Sequence, residues 1–511
     1  MLEAGPMNAV VHVFETISGF VWGPFLLIPL LLGVGLYLTI RLGGLQFLRL
    51  GAALRLGLLR RADPESEGDI SQFQALTTAL AATVGTGNIV GVATAIGIGG
   101  PGSLFWMWVT GLVGMATKYA EAFLAVRFRG TDDAGEKSGG PQYYLERGIK
   151  GPLGKVLGLS FAIFTVLACF GIGNMTQGNA IASNVAASWS IPIWVTGVVL
   201  TVMTMVVLVG GIKSIGRVTA GLVPVMIVFY IAGGLYILLV NITDVPAALA
   251  LIFTDAFTGT SAVGGFAGSA VILMIQFGVA RGLFSNESGL GSAAMAAAAA
   301  QTSHPVRQGL VSMTQTFIDT LIVVSFTGLV IVTTGTWKAI DPGTGEQIGA
   351  ALMTGEAFTH GLPGQWGHWI VTIGIVLFAF STILGWSYYG ERNVERLFGR
   401  RAVTPFRILF SLAVFVGCTA ELKVVWTFAD VMNGLMALPN LVGILLLSGL
   451  IWRETRHYLK HDPKLEADKA TVEAFMQGQP GWEEWKAGDE IGSSRRGIVG
   501  GTAEPGGPGV P

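Results

Sequence analysis

The stretch "TTALAATVGTGNIVGVATAIG", from Thr77 to Gly97, is long and apolar enough to cross a membrane, but its centre reads "VGTGN". Gly85 and Gly87 each weaken a helix by about 1 kcal/mol relative to alanine. Asn88 places an amide where hydrocarbon offers no partner, and an unpaired polar group costs several kcal/mol there. The stretch therefore predicts a membrane helix that is interrupted at mid-depth.

The composition of the whole chain is typical of a helical membrane protein. Of its 511 residues, 51% are hydrophobic and 12% are charged, whereas soluble proteins carry about 25% charged residues. The net charge of −1 gives no reason to expect nucleic-acid binding. Cys169 and Cys418 both lie in apolar runs, so we expect buried small side chains rather than a disulfide or metal ligands.

Apolar windows predict an all-α polytopic membrane protein with eleven transmembrane helices. The windows are residues 20–40, 71–97, 103–128, 155–187, 190–210, 217–240, 265–300, 305–335, 366–392, 405–422 and 425–452. Lys and Arg concentrate in alternate loops, which we assign to the cytoplasm. This places the N-terminus outside and the C-terminus inside the plasma (inner) membrane. No Lys or Arg precedes the first apolar run, so no cleaved signal peptide is expected.

A second window is interrupted in the same way as the first. Residues 272–300 are apolar at both ends, and their polar centre carries Arg281, Gly282, Ser285, Asn286, Glu287 and Gly289. A lone glycine pair in a membrane helix usually serves close packing. Two interruptions at matching positions favour a functional reading instead.

The two interruptions divide the chain into matching halves. Residues 1–70 form an extra N-terminal helix and a cytoplasmic loop, which leaves 71–240 and 265–452 as five-helix groups that each begin with a broken helix. Such inverted repeats are typical of secondary transporters with a substrate site at the bilayer midplane. Residues 453–511 are predicted to be a polar cytoplasmic tail with one short amphipathic helix, disordered over 497–511.

The ends of a broken helix indicate the chemistry of the ligand. The half-helix that begins at the gap offers free N–H groups and a partial positive charge to a carboxylate. The half-helix that ends there offers carbonyl oxygens to an ammonium group or to sodium. Because a zwitterionic amino acid carries one group for each, the pattern favours an amino acid over a sugar, which would require several hydrogen-bonding side chains, and over an organic cation, which would require an intramembrane carboxylate.

Six motifs resemble the alanine or glycine:cation symporter family. They are "TALAATVGTGNIVGVATAI", "GIGNMTQGNAIA", "GGIKSIGRVTAGLVPVM", "GVARGLFSNESGLGS", "HPVRQGLVSMTQTFIDT" and "FSTILGWSYYGER". The resemblance implies uptake of alanine or glycine driven by sodium as the coupling ion, with no cofactor. It also implies a leucine-transporter-like fold of five plus five inverted helices.

The resemblance further implies a substrate site on both breaks and two neighbouring helices, formed by Thr86, Gly87, Asn88, Gln177, Gly282, Phe284, Ser285 and Trp386. Thr86 and Gly87 would present backbone amides to the carboxylate, while Asn88 orders the gap. Trp386 would cap the pocket and leave little room beyond a methyl side chain. For sodium, the resemblance implies the hydroxyls of Ser381 and Thr382 with the carbonyls of Ala81 and Val84.

Three polar positions allow more than one role. Asp319, an acid inside an apolar window, is either a cation ligand or proton carrier, as in a proton-coupled symporter, or a structural partner of a hydroxyl, amide or Arg281. Arg281 and Glu287 either form a buried ion pair that closes a gate or simply satisfy each other. Apolar spans are also compatible with a channel or an intramembrane enzyme, although no metal-binding or paired-acid motif supports an enzyme. The oligomeric state and the choice between alanine and glycine are not predicted.

Overall fold

The structure, a computed structural model, describes residues 6–23, 25–60, 66–258, 267–340, 345, 347–364, 366–420, 423–480, 482, 485 and 489–491. The α-helices in this part of the chain are α1 (Pro6–Val21), α2 (Leu27–Arg41), α3 (Leu45–Leu48), α4 (Leu50–Leu54), α5 (Gln72–Thr83), α6 (Val92–Gly99), α7 (Ser103–Arg127), α8 (Pro141–Gly148), α9 (Pro152–Phe170), α10 (Thr176–Trp189), α11 (Ile193–Val209), α12 (Gly211–Val240), α13 (Val245–Thr258), α14 (Ala267–Asn286), α15 (Ala294–Ala298), α16 (Pro305–Thr316), α17 (Ser325–Thr333), α18 (Ala350–Gly361), α19 (Trp366–Phe398), α20 (Val403–Thr419), α21 (Lys423–His461) and α22 (Lys469–Met476).

Other regular segments lie between these helices. Wider π-helical turns occupy Arg55–Arg60, Gly87–Gly91, Gly171–Met175 and Phe317–Val324, and 3-10 turns occupy Thr336–Lys338 and Arg400–Ala402. Three short strands, β1 (Gly130–Asp132), β2 (Lys137–Ser138) and β3 (Asp489–Ile491), form a sheet in the order β2-β1-β3. Strand β1 pairs antiparallel with β2 and parallel with β3.

The described helices confirm a helical multi-pass membrane protein. Within the residues that the structure describes, six helices are long and apolar enough to cross a membrane: Pro152–Trp189, Gly211–Val240, Pro305–Thr333, Trp366–Phe398, Arg400–Thr419 and Val425–His461. The pair Gln72–Thr83 and Gly87–Gly99 meets the same test when taken together. The full count of eleven crossings and the inverted repeat stay predictions.

The first broken helix is fixed by local sequence. Ser71 caps α5 by accepting from the backbone N–H of Gln74, while the Gln74 side chain accepts from the backbone N–H of Ser71. Helix α5 ends at Thr83, and the chain turns by 53° before continuing through the π-helical turn into α6. Across the gap, Asn88 Oδ1 accepts from the Gly85 backbone N–H at 2.9 Å. Part of the exposed backbone is thus satisfied within the motif itself.

The second break lies later than the sequence suggested. Helix α14 continues through Arg281 to Asn286, so the residues predicted at the centre of the break are helical except for Glu287 and Gly289. Their polarity is tolerated because they face protein: Gly282 packs on α7, and Asn286 donates to the Thr320 hydroxyl at 3.0 Å. The chain then leaves the helix and resumes only in the five residues of α15.

The two broken helices meet at one end of the bundle. Just before α5, the Asp69 backbone N–H donates to the Ala299 carbonyl at 2.8 Å, and the Gln301 backbone N–H donates to the Ile70 carbonyl at 2.8 Å. A side chain on Gly68, whose φ is +154°, would place its Cβ 2.4 Å from the Gln301 nitrogen. The start of the first broken helix is therefore tied to the residues that follow the second.

The same end carries charged side chains and part of the tail. Arg392, 1% exposed on α19, pairs with Asp132 of the β1–β2 hairpin at 3.1 Å and with Glu391 at 2.9 Å. The polar tail differs from the predicted single helix, because α21 extends to His461 and α22 follows a turn. Asp462 in that turn pairs with Arg307 of α16 at 3.1 Å. Residues 497–511, predicted to be disordered, lie outside the described residues.

Candidate substrate and cation site

A small cavity lies between the two breaks. Its walls come from α5, the first gap, the Gly171–Met175 π turn, α10, α14, the second break and α19, through Ala82, Thr83, Gly85, Gly87, Ile172, Gln177, Phe284, Glu287, Leu290, Thr382 and Trp386. The space open to the centre of a water-sized sphere is about 10 Å³, enough for about one water molecule. A ligand larger than a water molecule therefore requires the walls to move apart.

The first gap supplies hydrogen-bonding groups beside this cavity. The Thr86 backbone N–H donates to Gln177 Oε1 at 3.4 Å, and Gln177 Nε2 donates to the Ile172 carbonyl at 2.9 Å. The Thr86 hydroxyl is buried and has no hydrogen-bond partner among the described residues. Gly87 lies opposite Phe284, where a Cβ would come within 3.1 Å of the ring. Four predicted substrate residues, Gly87, Gln177, Phe284 and Trp386, line the cavity.

A second set of oxygens lies where α5 ends against α19. The hydroxyls of Ser381 and Thr382 each lie 3.1 Å from the Ala81 carbonyl oxygen. Val84, which follows the last residue of α5, is fully buried. Gly85 packs closely against these oxygens. The absence of a side chain allows this approach, since a Cβ there would lie 2.4 Å from the Thr382 hydroxyl. Three of the four predicted sodium residues, Ala81, Ser381 and Thr382, are thus brought together, and their hydroxyl and carbonyl oxygens are the ligand type that hard cations prefer.

Asp319 joins the two breaks behind the cavity. Its carboxylate accepts from Asn88 Nδ2 at 2.7 Å and from the Ser285 hydroxyl at 2.8 Å. The Thr320 hydroxyl donates to it as well, at 2.8 Å. Asp319 is fully buried, and among the described residues its partners are an amide and hydroxyls rather than Arg281. Asn88 and Ser285 therefore order this junction rather than line the cavity.

Three predicted residues differ from the expectation: Gly282 lies outside the cavity wall, and Arg281 and Glu287 have other partners than each other. Gly282 faces α7, where a Cβ would lie 3.3 Å from the Met107 Cα. The Arg281 guanidinium lies over the Phe284 ring, 5.7 Å from its centroid. Among the described residues, Arg281 and Glu287 do not pair; the Glu287 carboxylate accepts instead from the Ser292 hydroxyl at 2.5 Å. In the part of the chain that the structure describes, the two side chains therefore form neither the gate-closing ion pair nor the simple pair that the sequence left open.

Part of the apolar wall was not predicted from sequence. Ile172 and Leu290 line the cavity, but both read as ordinary core residues in apolar surroundings. The available signal was indirect. Ile172 lies in the glycine-rich "GIGNM" turn, which is π-helical, and such wide turns are frequent at functional sites.

Known proteins resemble this chain over most of its length. A family model described as the sodium:alanine symporter family matches residues 7–473. The chain is 53% identical over 449 residues to the sodium/alanine symporter AgcS of Methanococcus maripaludis, covering 88% of this chain and 97% of that protein. It is 36% identical over 444 residues to the amino-acid carrier protein AlsT of Bacillus subtilis, covering 87% of this chain and 91% of that protein.

One solved structure resembles this protein in fold. The crystal structure of MhsT in complex with L-phenylalanine superposes with a TM-score of 0.55 at 15% identity, covering 80% of this chain and 96% of that chain. At this identity the likeness concerns the fold alone. It places the helices described above in a leucine-transporter-like arrangement.

Proposed function

Because the chain belongs to the sodium:alanine symporter family, we propose that it imports small neutral amino acids, alanine or glycine, together with sodium. The relative AgcS is named for sodium and alanine. The proposal includes eleven transmembrane helices in two inverted groups of five behind an extra N-terminal helix, with the N-terminus outside and the C-terminus in the cytoplasm. Transport proceeds by alternating access, in which the two broken helices and the helices that follow them rock against the rest.

One observation carries the proposal. The Ala81 carbonyl and the hydroxyls of Ser381 and Thr382 meet beside a cavity that Gly87 and Gln177 also line. Oxygen ligands suit sodium, and the N–H groups at the start of a half-helix suit a carboxylate. A cation and an amino acid bound side by side across the same gap give a direct physical route for coupling, since both stabilise one arrangement of the broken helix.

The cavity also limits the substrate class. Its apolar wall, which includes Ile172, Leu290 and Trp386, encloses space for only about one water molecule, so the walls must move apart to admit a substrate, and a short side chain requires the least movement. One additional methylene group in such a pocket is worth about 1–3 kcal/mol, or roughly 10–200-fold in discrimination. The site therefore favours glycine and alanine over larger neutral amino acids.

The sodium gradient supplies enough energy for accumulation. One sodium ion that enters at about −100 mV releases about 2.3 kcal/mol, and a tenfold concentration gradient adds about 1.4 kcal/mol. Together they amount to about 3.7 kcal/mol, which supports an accumulation of several-hundred-fold for one sodium per substrate. A single coupled ion therefore suffices for uptake from dilute surroundings.

Proton coupling through Asp319 is the second candidate function. Its buried carboxylate contacts Asn88 of the first gap and Ser285 beside the second break, so a change in its protonation would act on both broken helices. Intramembrane acids are frequent proton carriers. In the sodium-coupled proposal, Asp319 instead remains a fixed anchor for the two gaps.

Uptake into proteoliposomes separates these candidates. Labelled alanine is supplied with an inward gradient of sodium, of potassium or of protons as the only driving force. We expect accumulation with sodium alone, and we expect Asp319→Asn to retain sodium-driven uptake, because asparagine can still accept a hydrogen bond. Accumulation driven by protons and indifferent to sodium, lost in Asp319→Asn, would establish proton coupling instead.

A further inference from the structure

The tail is attached to α21, one of the helices that do not rock in the proposed transport cycle. Val472 and Met476 of α22 are buried, and the Phe475 ring stacks on His461, with ring centroids 5.2 Å apart. His457 Nε2 lies 3.0 Å from the Phe475 carbonyl oxygen. Since His457 and His461 both belong to the last turns of α21, this part of the tail moves with that helix.

Beyond α22, the tail reaches the two helices that follow the broken ones. The Trp485 indole N–H donates to the Val126 carbonyl, at the end of α7, at 3.0 Å. Trp482, 4% exposed, stacks on His304, which caps the start of α16, with ring centroids 5.8 Å apart. The rings of Trp482 and Trp485 contact each other, with centroids 4.8 Å apart. Strand β3 pairs with β1, which begins three residues after α7 ends.

The tail strap, which we define as Trp482, Trp485 and β3, therefore connects two parts of the protein that move relative to each other in the proposed cycle. It is attached through α22 to α21, whereas its contacts lie on α7, on α16 and on the strand after α7. An ion pair between Arg307 of α16 and Asp462, at 3.1 Å, crosses the same boundary closer to α21. The match to the family model ends at residue 473, so the strap lies beyond the matched residues.

The contacts of the strap require the two parts to be together at this end of the bundle. In alternating access, release of the substrate into the cytoplasm requires the same end to open, which separates α7 and α16 from α21. A contact that is made in only one of two states shifts the equilibrium toward that state. The aromatic contacts and the hydrogen bond of the strap therefore oppose cytoplasmic opening.

We infer that the tail strap holds the cytoplasmic side of the protein closed and thereby limits how often it opens. The inference rests on the proposed function, because it requires alternating access with the C-terminus in the cytoplasm. The described residues of the strap contact helix ends and a strand, and the cavity is lined by other residues. The strap thus acts on the population of the open state and not on the binding of ligands in the closed one.

Met295 offers a reporter of cytoplasmic opening. It lies on α15, the half-helix after the second break, and it is fully buried. Its sulfur accepts from Asn393 Nδ2 of α19 at 3.1 Å. Because α15 rocks in the proposed cycle and α19 does not, cytoplasmic opening exposes this position. The thiol of Met295→Cys can then react with a maleimide, while the buried native Cys169 reports general loosening of the fold.

The test measures alkylation in inside-out membrane vesicles, where a membrane-impermeant maleimide reaches the cytoplasmic side. The parent is the full chain with Met295→Cys, and mass spectrometry reads each labelled position. Adding Trp482→Ala with Trp485→Ala should speed alkylation at position 295 about tenfold, the size expected from the loss of aromatic contacts in the closed state. Cys169 should stay unreactive in the parent and in the variant.

Two further variants separate the strap from a general effect of losing tryptophan. Trp482→Phe keeps an aromatic ring on His304 and should leave the alkylation rate within about twofold of the parent. Trp366→Ala with Trp369→Ala removes an exposed tryptophan pair outside the strap, whose centroids are 5.6 Å apart. This matched control should leave the rate unchanged.

An alkylation rate at position 295 that stays at the parent value without Trp482 and Trp485 would overturn the inference. An equal rise in the control that lacks Trp366 and Trp369 would overturn it as well. So would equal labelling of Cys169, because the whole fold would then have loosened.

Failure of the proposed function gives a different result. If wild-type protein in proteoliposomes does not accumulate labelled alanine with sodium, the proposed function fails, while the alkylation rates still decide whether the strap keeps this end closed. If sodium drives uptake but the loss of both strap tryptophans leaves alkylation at the parent rate, the inference about the strap fails and the proposed function stands.

Discussion

The two broken helices are closed by different means. The first gap is closed within its own motif, where Asn88 accepts from the Gly85 backbone N–H. The second is closed by distant residues: Glu121 of α7 accepts from the backbone N–H groups of Gly289 and Gly291, at 2.9 Å each. The first break is therefore encoded locally, and the second depends on tertiary structure.

This difference matches what each gap contributes to the cavity. The first gap places backbone groups and the oxygens around Ala81 beside the cavity, so its backbone must stay available to ligands. The second gap contributes side chains, Glu287 and Leu290, while its backbone is bound to other helices. Asn440 of α21 completes that closure by donating to Glu121 at 2.7 Å and to the Gly289 carbonyl at 2.9 Å. A gap whose backbone faces the cavity thus lies opposite one whose backbone is bound to other helices.

Removal of the distant anchor should have the largest effect on stability. Glu121→Ala leaves the Lys118 charge, 1% exposed, without its partner at 3.5 Å and leaves two backbone N–H groups unpaired. Loss of one partner of a buried ion pair costs about 3–5 kcal/mol, and we expect a decrease of that size in the free energy of unfolding measured in detergent. Glu466→Ala, which breaks a 44% exposed pair with Arg55, should cost less than about 1 kcal/mol. Equal losses in the two variants would contradict the tertiary account of the second break.

The packing of the first gap against α19 is tested by a pair of glycines. Gly85→Ala places a Cβ 2.4 Å from the Thr382 hydroxyl, and such overpacking costs about 1–3 kcal/mol. Because it displaces a proposed sodium ligand, we expect the sodium concentration for half-maximal uptake to rise about tenfold, equivalent to about 1.4 kcal/mol. The added Cβ of Gly91→Ala meets no atom within 4 Å. This substitution should stabilise the π-helical turn that follows the gap by about 0.5–1 kcal/mol. If the two substitutions behave alike in uptake and melting, close packing of the gap against α19 is not what Gly85 provides.

The capping box of the first broken helix should give the smallest effect. Ser71→Ala removes the hydroxyl that accepts from the Gln74 backbone N–H at 3.1 Å, and loss of such a cap costs about 1 kcal/mol. Hydrogen exchange at the first turn of α5 would detect this as local fraying without loss of uptake. Thr254→Ala, whose exposed hydroxyl donates only within its own helix, is the control and should change stability by less than about 0.5 kcal/mol. Unchanged exchange at the first turn of α5 in Ser71→Ala would show that the capping box does not hold this end of the helix.

The sequence predicts the first gap more accurately than the second. The position of the first gap is predictable because Gly85, Gly87 and Asn88 supply both the weakness and the partner. The sequence places the second gap several residues too early, because its polar residues suggest a break where burial against α7 and Thr320 keeps them helical. The residues that open it are glycines whose partners lie about 150 residues or more away in sequence. Such contacts leave no trace in a local pattern.

The contacts of the candidate site are likewise predictable only in part. Thr382, Gln177 and Trp386 are predicted from motifs and lie around one cavity. The pairing of Lys118 with Glu121 is within reach of helical spacing, since the two residues share a helix face. The contacts of Lys118 and Glu121 with the second break cannot be predicted in this way, because nothing in the sequence of α7 indicates which loop packs against it. The left-handed backbone conformation of Glu287 likewise leaves no mark in the sequence.

The most direct test of the account is the sodium dependence of alanine uptake when the hydroxyls at the first gap are removed. Wild-type protein, the double variant Ser381→Ala with Thr382→Ala, and Ser387→Ala are compared in proteoliposomes over a range of sodium concentrations. Ser387 is buried on the same helix and donates to the Leu384 carbonyl, so it controls for loss of a hydroxyl from α19. We predict sodium-driven accumulation that is abolished in the double variant and retained in Ser387→Ala. Accumulation that persists in the double variant with unchanged sodium dependence would contradict the assignment of the cation to this gap.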